Sequence, residues 1–162
     1  MSTEKVRNYL QQFGKDDKVQ EFEVSSATVE LAAQALGVEP ARIAKSISLK
    51  DENGCILIVA AGDGKIDNSA FKRHFGLKAK MLVPEETEEL TGYRVGGICP
   101  FDNPDGAKVY LDESLRRFTT VYPACGTSNS AIELTCEELL ECSRALGWVD
   151  VCKGWREQPS EG

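Results

Sequence analysis

The sequence is poor in histidine and lacks the cysteine spacings of metal sites. His74 is the only histidine among 162 residues, and none of the six cysteines forms a C-x-x-C pair. This excludes the ligand patterns of small zinc domains, so we expect no metal. A Ser-His-Asp or Cys-His arrangement would have to use His74, which lies between Arg73 and Phe75 on an expected exposed helix face. The sequence therefore offers few residues for a conventional hydrolase mechanism, in which a histidine base activates a side-chain nucleophile.

Nucleotide-binding and membrane-spanning patterns are also missing. Neither G-x-x-x-x-G-K-[ST] nor G-x-G-x-x-G occurs, and there is no G-x-S-x-G turn. No apolar run approaches the roughly 18 residues that a membrane helix needs, and the segment Met1 to Lys5 is not followed by an apolar signal core. We expect a cytoplasmic protein that needs no cofactor and does not act at a membrane.

The composition is that of one soluble domain with its own core. Hydrophobic residues make up 41% of the chain and charged residues 28%. The formal net charge of −7 argues against binding a nucleic-acid backbone over the whole surface. A local basic cluster is nevertheless present, and it consists of Lys65, Lys72, Arg73, Lys78 and Lys80. Such a cluster can hold phosphates, although a solvated helix face is an equally good interpretation.

Hydrophobic periodicity and turn residues predict interspersed helices and strands. Residues 44–50 and 55–61 are expected strands joined by an Asn53-Gly54 turn, and the second is apolar throughout, hence buried on both faces. This antiparallel hairpin excludes a purely parallel sheet, so we predict a single α+β domain with a mixed sheet and flanking helices. Other helices are expected over 3–13, 28–36 and 67–75, after Pro84 and after Thr135, and other strands over 19–24, 109–111, 119–122 and 131–134. Residues 93–95 are expected to be short and extended, and residues 156–162 to form a disordered tail.

Lys45 is the most informative single residue. It stands in a strand pattern with Ile43, Ile47 and Leu49 on the same side. An ammonium group in an apolar row is costly unless something pairs with it, and a substrate carbonyl or phosphate would be such a partner. The alternative is a lysine whose stem is buried and whose charged end reaches water at the start of the strand.

Two loops carry small residues that suit a ligand site. In the glycine loop, residues 96–100, Gly96 and Gly97 allow backbone amides to approach a ligand and to serve an oxyanion without any side chain. In the polar loop, residues 124–130, hydroxyl and amide groups can orient a polar substrate. Each loop can also be no more than a turn. Cys99 is either a nucleophile or a packed thiol, and Glu133 is either a buried acid or a surface residue.

Four segments, in their order and spacing, resemble the YbaK family, also called the prolyl-tRNA-synthetase-associated or aminoacyl-tRNA deacylase domain. They are Thr28 to Val38, Ile43 to Ser46, Gly96 to Phe101 and Gly126 to Leu134. The resemblance extends over residues 20–145, and we expect the domain to occupy residues 1–155. It implies a mixed sheet with flanking helices and a free-standing, trans-acting enzyme that cleaves the ester of mischarged tRNA.

The resemblance also implies roles for individual residues. Lys45 matches the invariant lysine of the family, Gly96 to Pro100 its glycine-rich loop, Gly126 to Ser130 its small polar loop, and Glu133 an acid on the following strand. We assign catalysis to Lys45 and Gly97, with Lys45 and the Gly96-Gly97 amides stabilising the substrate and the oxyanion. The remaining assignments are tRNA binding by the basic cluster and substrate binding by Phe22, Ser46, Gly96, Ile98, Cys99, Pro100, Gly126, Thr127, Ser128, Asn129 and Glu133. Aminoacyl-tRNA is the expected partner, with a synthetase as a second one and the oligomeric state open.

Departures from the family pattern leave the amino acid open. The chain has Val24-Ser25-Ser26-Ala27 where some members have His-Pro, Cys99-Pro100 where many have Ser-Pro, and Thr127 to Ser130 where some have Gly-Arg-Arg-Gly. A pocket of small residues discriminates a methylene only modestly, so broad specificity is expected. The alternative to an enzyme is a non-catalytic module that holds a tRNA end, an amino acid or a synthetase. A thiol sensor using Cys99 and Cys125 is a third hypothesis.

Overall fold

A computed structural model describes residues 3–23 and 28–155. Its α-helices are α1 (Glu4–Leu10), α2 (Val29–Leu36), α3 (Asn68–Phe75), α4 (Pro84–Thr91) and α5 (Cys136–Ser143), with short 3-10 helices at Gln11–Phe13, Asp16–Lys18, Pro40–Arg42 and Glu113–Arg117. Its strands are β1 (Gln20–Glu21), β2 (Ile43–Asp51), β3 (Gly54–Ala61), β4 (Lys65–Ile66), β5 (Ala107–Asp112), β6 (Thr120–Pro123), β7 (Ser130–Ala131), β8 (Leu134–Thr135), β9 (Trp148–Val149) and β10 (Cys152–Lys153). None of these helices is long and apolar enough to cross a membrane.

The central sheet has the strand order β8-β6-β2-β3-β5-β9, and two small ribbons pair β1 with β7 and β4 with β10. β2 and β3 are antiparallel, with Asp51 opposite Gly54 across the turn. β2 runs parallel to β6, and β5 runs parallel to both β3 and β9. The sheet is therefore mixed, as the hairpin predicted. A Cβ at Gly54 would lie 2.3 Å from the Gly106 carbonyl oxygen, which explains the glycine at this turn.

β3 is the centre of the core, because every residue from Cys55 to Ala61 is buried. Its odd-numbered side chains join a cluster that includes Leu10, Phe101 and Leu139. Its even-numbered side chains join a second cluster around Phe71. Side chains alternate between the faces of a strand, so one cluster covers each face of the sheet. The prediction of a strand buried on both faces is confirmed.

Helix ends follow the capping residues of the sequence. Thr28 caps α2, Asp67 caps α3, and Thr135 with Glu138 forms the predicted capping box of α5. Gly37 ends α2 in the left-handed conformation that glycine tolerates best. These boundaries depend on hydrogen bonds between residues a few positions apart, so the sequence predicted them well.

Several predicted strands are shorter or interrupted. The strand expected over 131–134 is divided, because β7 pairs with β1 while β8 pairs with β6. The segment 93–95, expected to be short and extended, instead forms a bend and a turn, since the Tyr93 amide donates to Thr91 Oγ1 at 3.1 Å and the chain turns there into the glycine loop. The strand expected over 19–24 is reduced to β1, and Val24 lies outside the described residues, as does the tail over 156–162.

Candidate active site

A cavity opens where β2 and β6 stop pairing. The two strands pair only at Ile43 with Tyr122 and at Ala44 with Pro123, after which β6 ends. The cavity has a volume of about 170 Å³. It is lined by Thr28, Val29, Ala32, Ile43, Ala44, Lys45, Ser46, Gly96, Ile98, Tyr122, Ala124, Ser130 and Ala131. The fold therefore brings together α2, the first half of β2, the glycine loop and the chain around the polar loop.

Lys45 lies on the face of β2 that it shares with Ile43 and that α2 covers. Its Nζ donates to the Gly62 carbonyl oxygen at 3.2 Å, the one acceptor that the described residues offer it. Burial is the main reason why the pKa of the Lys45 ammonium is lowered from its ordinary value. An ammonium has three N–H donors, so two remain for a ligand. This half-buried position suits an anionic or carbonyl group of a substrate.

The carbonyl that holds Lys45 is itself fixed by close packing. A Cβ at Gly62 would lie 2.1 Å from the Pro40 carbonyl oxygen and 2.8 Å from Val29 Cγ1. The chain at Gly62 therefore approaches the start of β2 and α2 as closely as glycine allows. The Gly62 amide donates to the Ala41 carbonyl oxygen at 3.2 Å, which further limits where the Lys45 acceptor can lie.

The glycine loop lines the cavity through Gly96 and Ile98, whereas Gly97 packs against the polar loop. A Cβ at Gly97 would lie 2.6 Å from the Gly126 carbonyl oxygen, so only glycine permits the two backbones to meet. The Gly97 amide donates to the Arg94 carbonyl oxygen at 2.9 Å. That bond uses the donor that we assigned to the oxyanion. The amides of Gly96 and Ile98, for which the described residues provide no acceptor, are therefore the available donors of the loop.

Two side chains that the sequence analysis did not assign hold the glycine loop. Asn103 Nδ2 donates to the Cys99 carbonyl oxygen at 3.0 Å and to that of Thr91 at 2.8 Å, which connects the loop to the end of α4. The Tyr93 hydroxyl donates to the Phe101 carbonyl oxygen. The sequence around Asn103 indicated only a turn, because its partners become neighbours only after the chain folds back on α4.

The polar loop uses most of its polar groups internally. Thr127 Oγ1 lies 2.8 Å from both Asn129 Oδ1 and Ser130 Oγ. The Asn129 side-chain amide donates to the Phe22 carbonyl oxygen at 2.8 Å, and the Phe22 amide donates to the Asn129 carbonyl oxygen at the same distance. Ala124 and Ser130 are the members of the loop that line the cavity. The assigned residues that do not line it include Phe22, Pro100, Gly126, Thr127, Ser128 and Asn129.

Two further assigned residues lie away from the cavity. Cys99 is fully buried in the core, and burial raises the pKa of its thiol to about 12, so it is a packed thiol and not a nucleophile. Glu133 is exposed, accepts from Thr120 Oγ1 at 2.7 Å and lies 3.6 Å from Arg42. Of the two interpretations of Glu133, the surface residue is the correct one. Cys125 is also fully buried, so the thiol-sensor hypothesis has no accessible sulfur at this pair.

The basic cluster is exposed and comes close to Lys45 at one point. All five side chains are exposed, and none of them forms an ion pair with another described residue. Lys72 and Arg73 lie in the last turn of α3. Lys65, on β4, is near enough to Lys45 to lower its pKa further. Contact of this cluster with phosphates stays a prediction.

Some of the residues that line the cavity could not be predicted from local sequence patterns. Thr28, Val29 and Ala32 of α2 and Tyr122 of β6 follow ordinary helix and strand patterns, and they line the cavity only because α2 packs on the start of β2. Among the described residues the lining includes no carboxylate, imidazole or thiol. Within the described residues the site therefore offers backbone amides, hydroxyls and one ammonium.

Comparison with known proteins relates the chain to one family. The model of the aminoacyl-tRNA editing domain matches residues 23–142. The uncharacterized protein YwhH of Bacillus subtilis is 54% identical over 156 residues, which cover 96% of this chain and 99% of that protein. The multifunctional Ser/Thr-tRNA deacylase ProXp-y of Escherichia coli is 28% identical over 140 residues, or 83% of this chain and 84% of the relative.

A solved structure agrees with the sequence comparison. It is the crystal structure of a candidate trans-editing enzyme for prolyl tRNA synthetase, with a TM-score of 0.85 and 32% identity. The match covers 95% of this chain and 99% of the other, so the two share the whole fold and not a fragment of it. Because the family model spans most of the sequence, this chain belongs to the aminoacyl-tRNA editing domain family.

Proposed function

We propose that this protein is a trans-acting aminoacyl-tRNA deacylase that hydrolyses the ester of mischarged tRNA. The observation that carries the proposal is the half-buried Lys45 ammonium, which lines the same small cavity as the glycine loop and keeps two donors for a ligand. Membership of the editing-domain family and likeness to a Ser/Thr-tRNA deacylase support it.

In this proposal the tRNA end is anchored by Lys45 and the reaction is assisted by the glycine loop. The Lys45 ammonium donates to a terminal phosphate or to the ester carbonyl oxygen. The amides of Gly96 and Ile98 stabilise the negative charge that develops on the carbonyl oxygen. Water attacks the carbonyl carbon and gives up a proton, the bond from that carbon to the ribose oxygen breaks, the ribose oxygen takes up a proton, and the free amino acid leaves. This path needs no protein base, in keeping with the lining of the cavity.

The basic cluster extends the proposed contact to tRNA phosphates outside the cavity. Lys65 is near enough to Lys45 to lower its pKa, and Lys72 and Arg73 add two further positive charges in the last turn of α3. A few such contacts on a chain with net charge −7 predict weak, strongly salt-dependent tRNA binding. The likeness to a candidate trans-editing enzyme for prolyl tRNA synthetase makes a synthetase the second partner that we propose.

The competing function is a non-catalytic binding module that uses the same cavity. The observation in its favour is that no carboxylate, imidazole or thiol lines the cavity within the described residues. Turnover separates the two functions, because a module would retain the charged tRNA without releasing the amino acid.

The test is hydrolysis of a panel of tRNAs charged with cognate and non-cognate amino acids, with the tRNA in excess over the protein. We expect repeated turnover of at least one charged tRNA by the wild type and a loss of about 100-fold or more in kcat/KM for Lys45→Ala. Lys50→Ala is the matched control, since Lys50 lies on the same strand, pairs with Glu86 at 3.3 Å and does not line the cavity. Its activity should be unchanged.

Two results would contradict these assignments. Binding of charged tRNA without turnover across the panel would replace the deacylase by the binding module. Full activity of a folded Lys45→Ala variant, checked by circular dichroism, would remove Lys45 from the mechanism.

A further inference from the structure

Ser46 lies between two stretches of β2 in which the outer edge of the strand is hydrogen-bonded to other segments, and it takes part in neither pairing. On one side, Ala44 pairs with Pro123 at the end of β6. On the other, the Lys50 amide donates to the Lys80 carbonyl oxygen at 2.8 Å, and the Ser48 carbonyl oxygen accepts from the Leu82 amide at 3.2 Å. Since backbone groups of alternate residues point to the same edge of a strand, those of Ser46 point to this outer edge as well.

Among the residues that the structure describes, Ser46 has no partner on this edge. In the part of the chain that the structure describes, no acceptor is found for its amide and no donor for its carbonyl oxygen beyond the β2–β3 ladder. Its hydroxyl oxygen is buried and has no hydrogen-bond partner either. Buried polar groups are almost always paired, so the hydroxyl calls for an explanation, and the two backbone groups without a partner lie on the same residue. Ser46 also lines the cavity, which places this gap in the sheet at the candidate active site.

We propose that the gap at Ser46 is the subsite for the α-ammonium and the carbonyl group of the aminoacyl moiety. An unpaired strand residue presents one acceptor and one donor on the same side, and an aminoacyl group carries the matching ammonium donor and carbonyl acceptor. The aminoacyl group then binds as a single residue added to the edge of β2. This inference rests on the proposed deacylase function and deepens it, because it names the part of the substrate that the strand recognises.

The positions of the neighbouring groups agree with this subsite. Side chains alternate along a strand, so Lys45 leaves β2 on the face opposite to that of Ser46. The ammonium that anchors the tRNA end and the carbonyl that receives the substrate ammonium are therefore separated by the strand itself. The Ser46 hydroxyl, which lies on the other face, supplies a further acceptor for the substrate ammonium once the aminoacyl group has entered.

The subsite defines a class of substrate. An N-acylated or peptidyl ester has lost the charge and two of the three hydrogens of the ammonium, so it cannot make a charge-assisted hydrogen bond to the Ser46 carbonyl oxygen. Esters with a free α-amino group are substrates of this site, whereas N-blocked esters are not.

The test combines a ligand pair with a probe of the Ser46 amide. Two RNA minihelices carry a 3′-amide-linked acyl group that the enzyme cannot hydrolyse. One bears the amino acid that the charged-tRNA panel shows to be turned over fastest, and the other bears the same acyl group without its α-amino nitrogen. Their dissociation constants are measured with the wild-type protein, and backbone hydrogen exchange is followed by NMR with and without each minihelix.

In the free protein, the Ser46 amide should exchange about 100-fold faster than the Ile47 amide, which faces Ile58 of β3 in the hairpin. The amino-bearing minihelix should bind about tenfold more tightly than its partner without the nitrogen, and it should slow exchange at Ser46. Exchange at Lys50, already paired with Lys80, is the internal control and should not change.

The outcomes separate the subsite from the function. Equal affinities of the two minihelices, or a Ser46 amide that is already protected in the free protein, would overturn the subsite while the deacylase stands on its Lys45-dependent turnover. Absence of turnover across the panel would overturn both.

Discussion

At the scale of the residue, Lys45 combines a position suited to function with an energetic cost. Its ammonium is half-buried, it has a single backbone acceptor, and burial lowers its pKa. A group of this kind is tolerated where a ligand completes its coordination, and until then it makes the folded state less stable than an apolar side chain would.

Lys45→Met should therefore be inactive and yet more stable than the wild type, by about 1 kcal/mol at neutral pH. The pKa of Lys45 is lower in the folded state than in the unfolded chain, so between the two pKa values the unfolded state binds more protons. The stability of the wild type relative to Lys45→Met consequently rises as the pH rises through the folded-state pKa, and the advantage of methionine shrinks. Urea unfolding at pH 7 and near pH 10 measures this, and a variant less stable than the wild type at pH 7 would contradict it.

Asn103 acts at the same scale, although it does not line the cavity. Asn103→Ala removes both amide donors from the Cys99 and Thr91 carbonyl oxygens. We expect a loss of about 1–3 kcal/mol in the free energy of unfolding and a fall in kcat, because the loop that carries the Gly96 and Ile98 amides is less firmly held. Asn103→Asp should behave like the alanine variant, while Asn103→Gln, which keeps the donors, should recover part of the activity. A kcat equal to that of the wild type in Asn103→Ala would show that the loop needs no such support.

At the scale of the element, the glycine loop and the polar loop behave as one unit. They meet backbone to backbone at Gly97 and Gly126, and a Cβ at Gly126 would lie 3.1 Å from the Tyr93 ring. The position of the donors over the cavity therefore depends on two loops that are distant in sequence, and a change in one must move the other.

Gly97→Ala tests this dependence. The added methyl group would lie 2.6 Å from the Gly126 carbonyl oxygen, so the loops must separate. We expect a destabilisation of about 1–3 kcal/mol and a fall of about tenfold or more in kcat/KM, read from thermal unfolding and from the deacylation assay. Gly76→Ala is the control, since Gly76 ends α3 with a φ of 71°, which strains any side chain, but has no atom within 4 Å of the new Cβ. It should lose stability and keep its kcat/KM.

At the scale of the whole molecule, one buried carboxylate connects the C-terminal segment to the sheet. Asp112, fully buried at the end of β5, accepts from the Val151 amide through Oδ1 and from the Ser114 amide through Oδ2, both at 2.9 Å. Ser114 Oγ in turn accepts from the Ala61 amide at 3.1 Å. Ala61 precedes Gly62, whose carbonyl oxygen holds Lys45, so this network reaches the site from the far end of the chain.

Asp112→Asn should lower the free energy of unfolding by about 2–3 kcal/mol, because an amide group turns a donor toward one of the two backbone N–H groups. The measurement is chemical denaturation, with Asp105→Asn at an exposed turn as the control. Well below the midpoint of the transition, the activity of folded Asp112→Asn should stay within a few-fold of the wild type. A loss of activity without a loss of stability would mean that Asp112 positions Lys45 directly.

Prediction from the sequence succeeded where partners are near in the chain. The β2–β3 hairpin and the caps at Thr28, Asp67 and Thr135 follow from turn and capping chemistry. The strand expected over 131–134 was wrong as a single strand, because its two halves pair with different neighbours, β1 and β6. A period-two pattern shows that a segment is extended, but it contains no information on which strand lies beside it.

By itself, therefore, the sequence determined the elements, the mixed character of the sheet and the family resemblance, because these depend on residue order and on short-range hydrogen bonds. Only the tertiary structure decided which residues meet at the cavity. It placed Cys99 in the core and Glu133 at the surface, used the Gly97 amide for a turn, and left Ser46 without a partner on the outer edge of β2 among the described residues. Each of these outcomes depends on contacts between segments far apart in the chain, where α2, the two loops and the open edge of β2 come together.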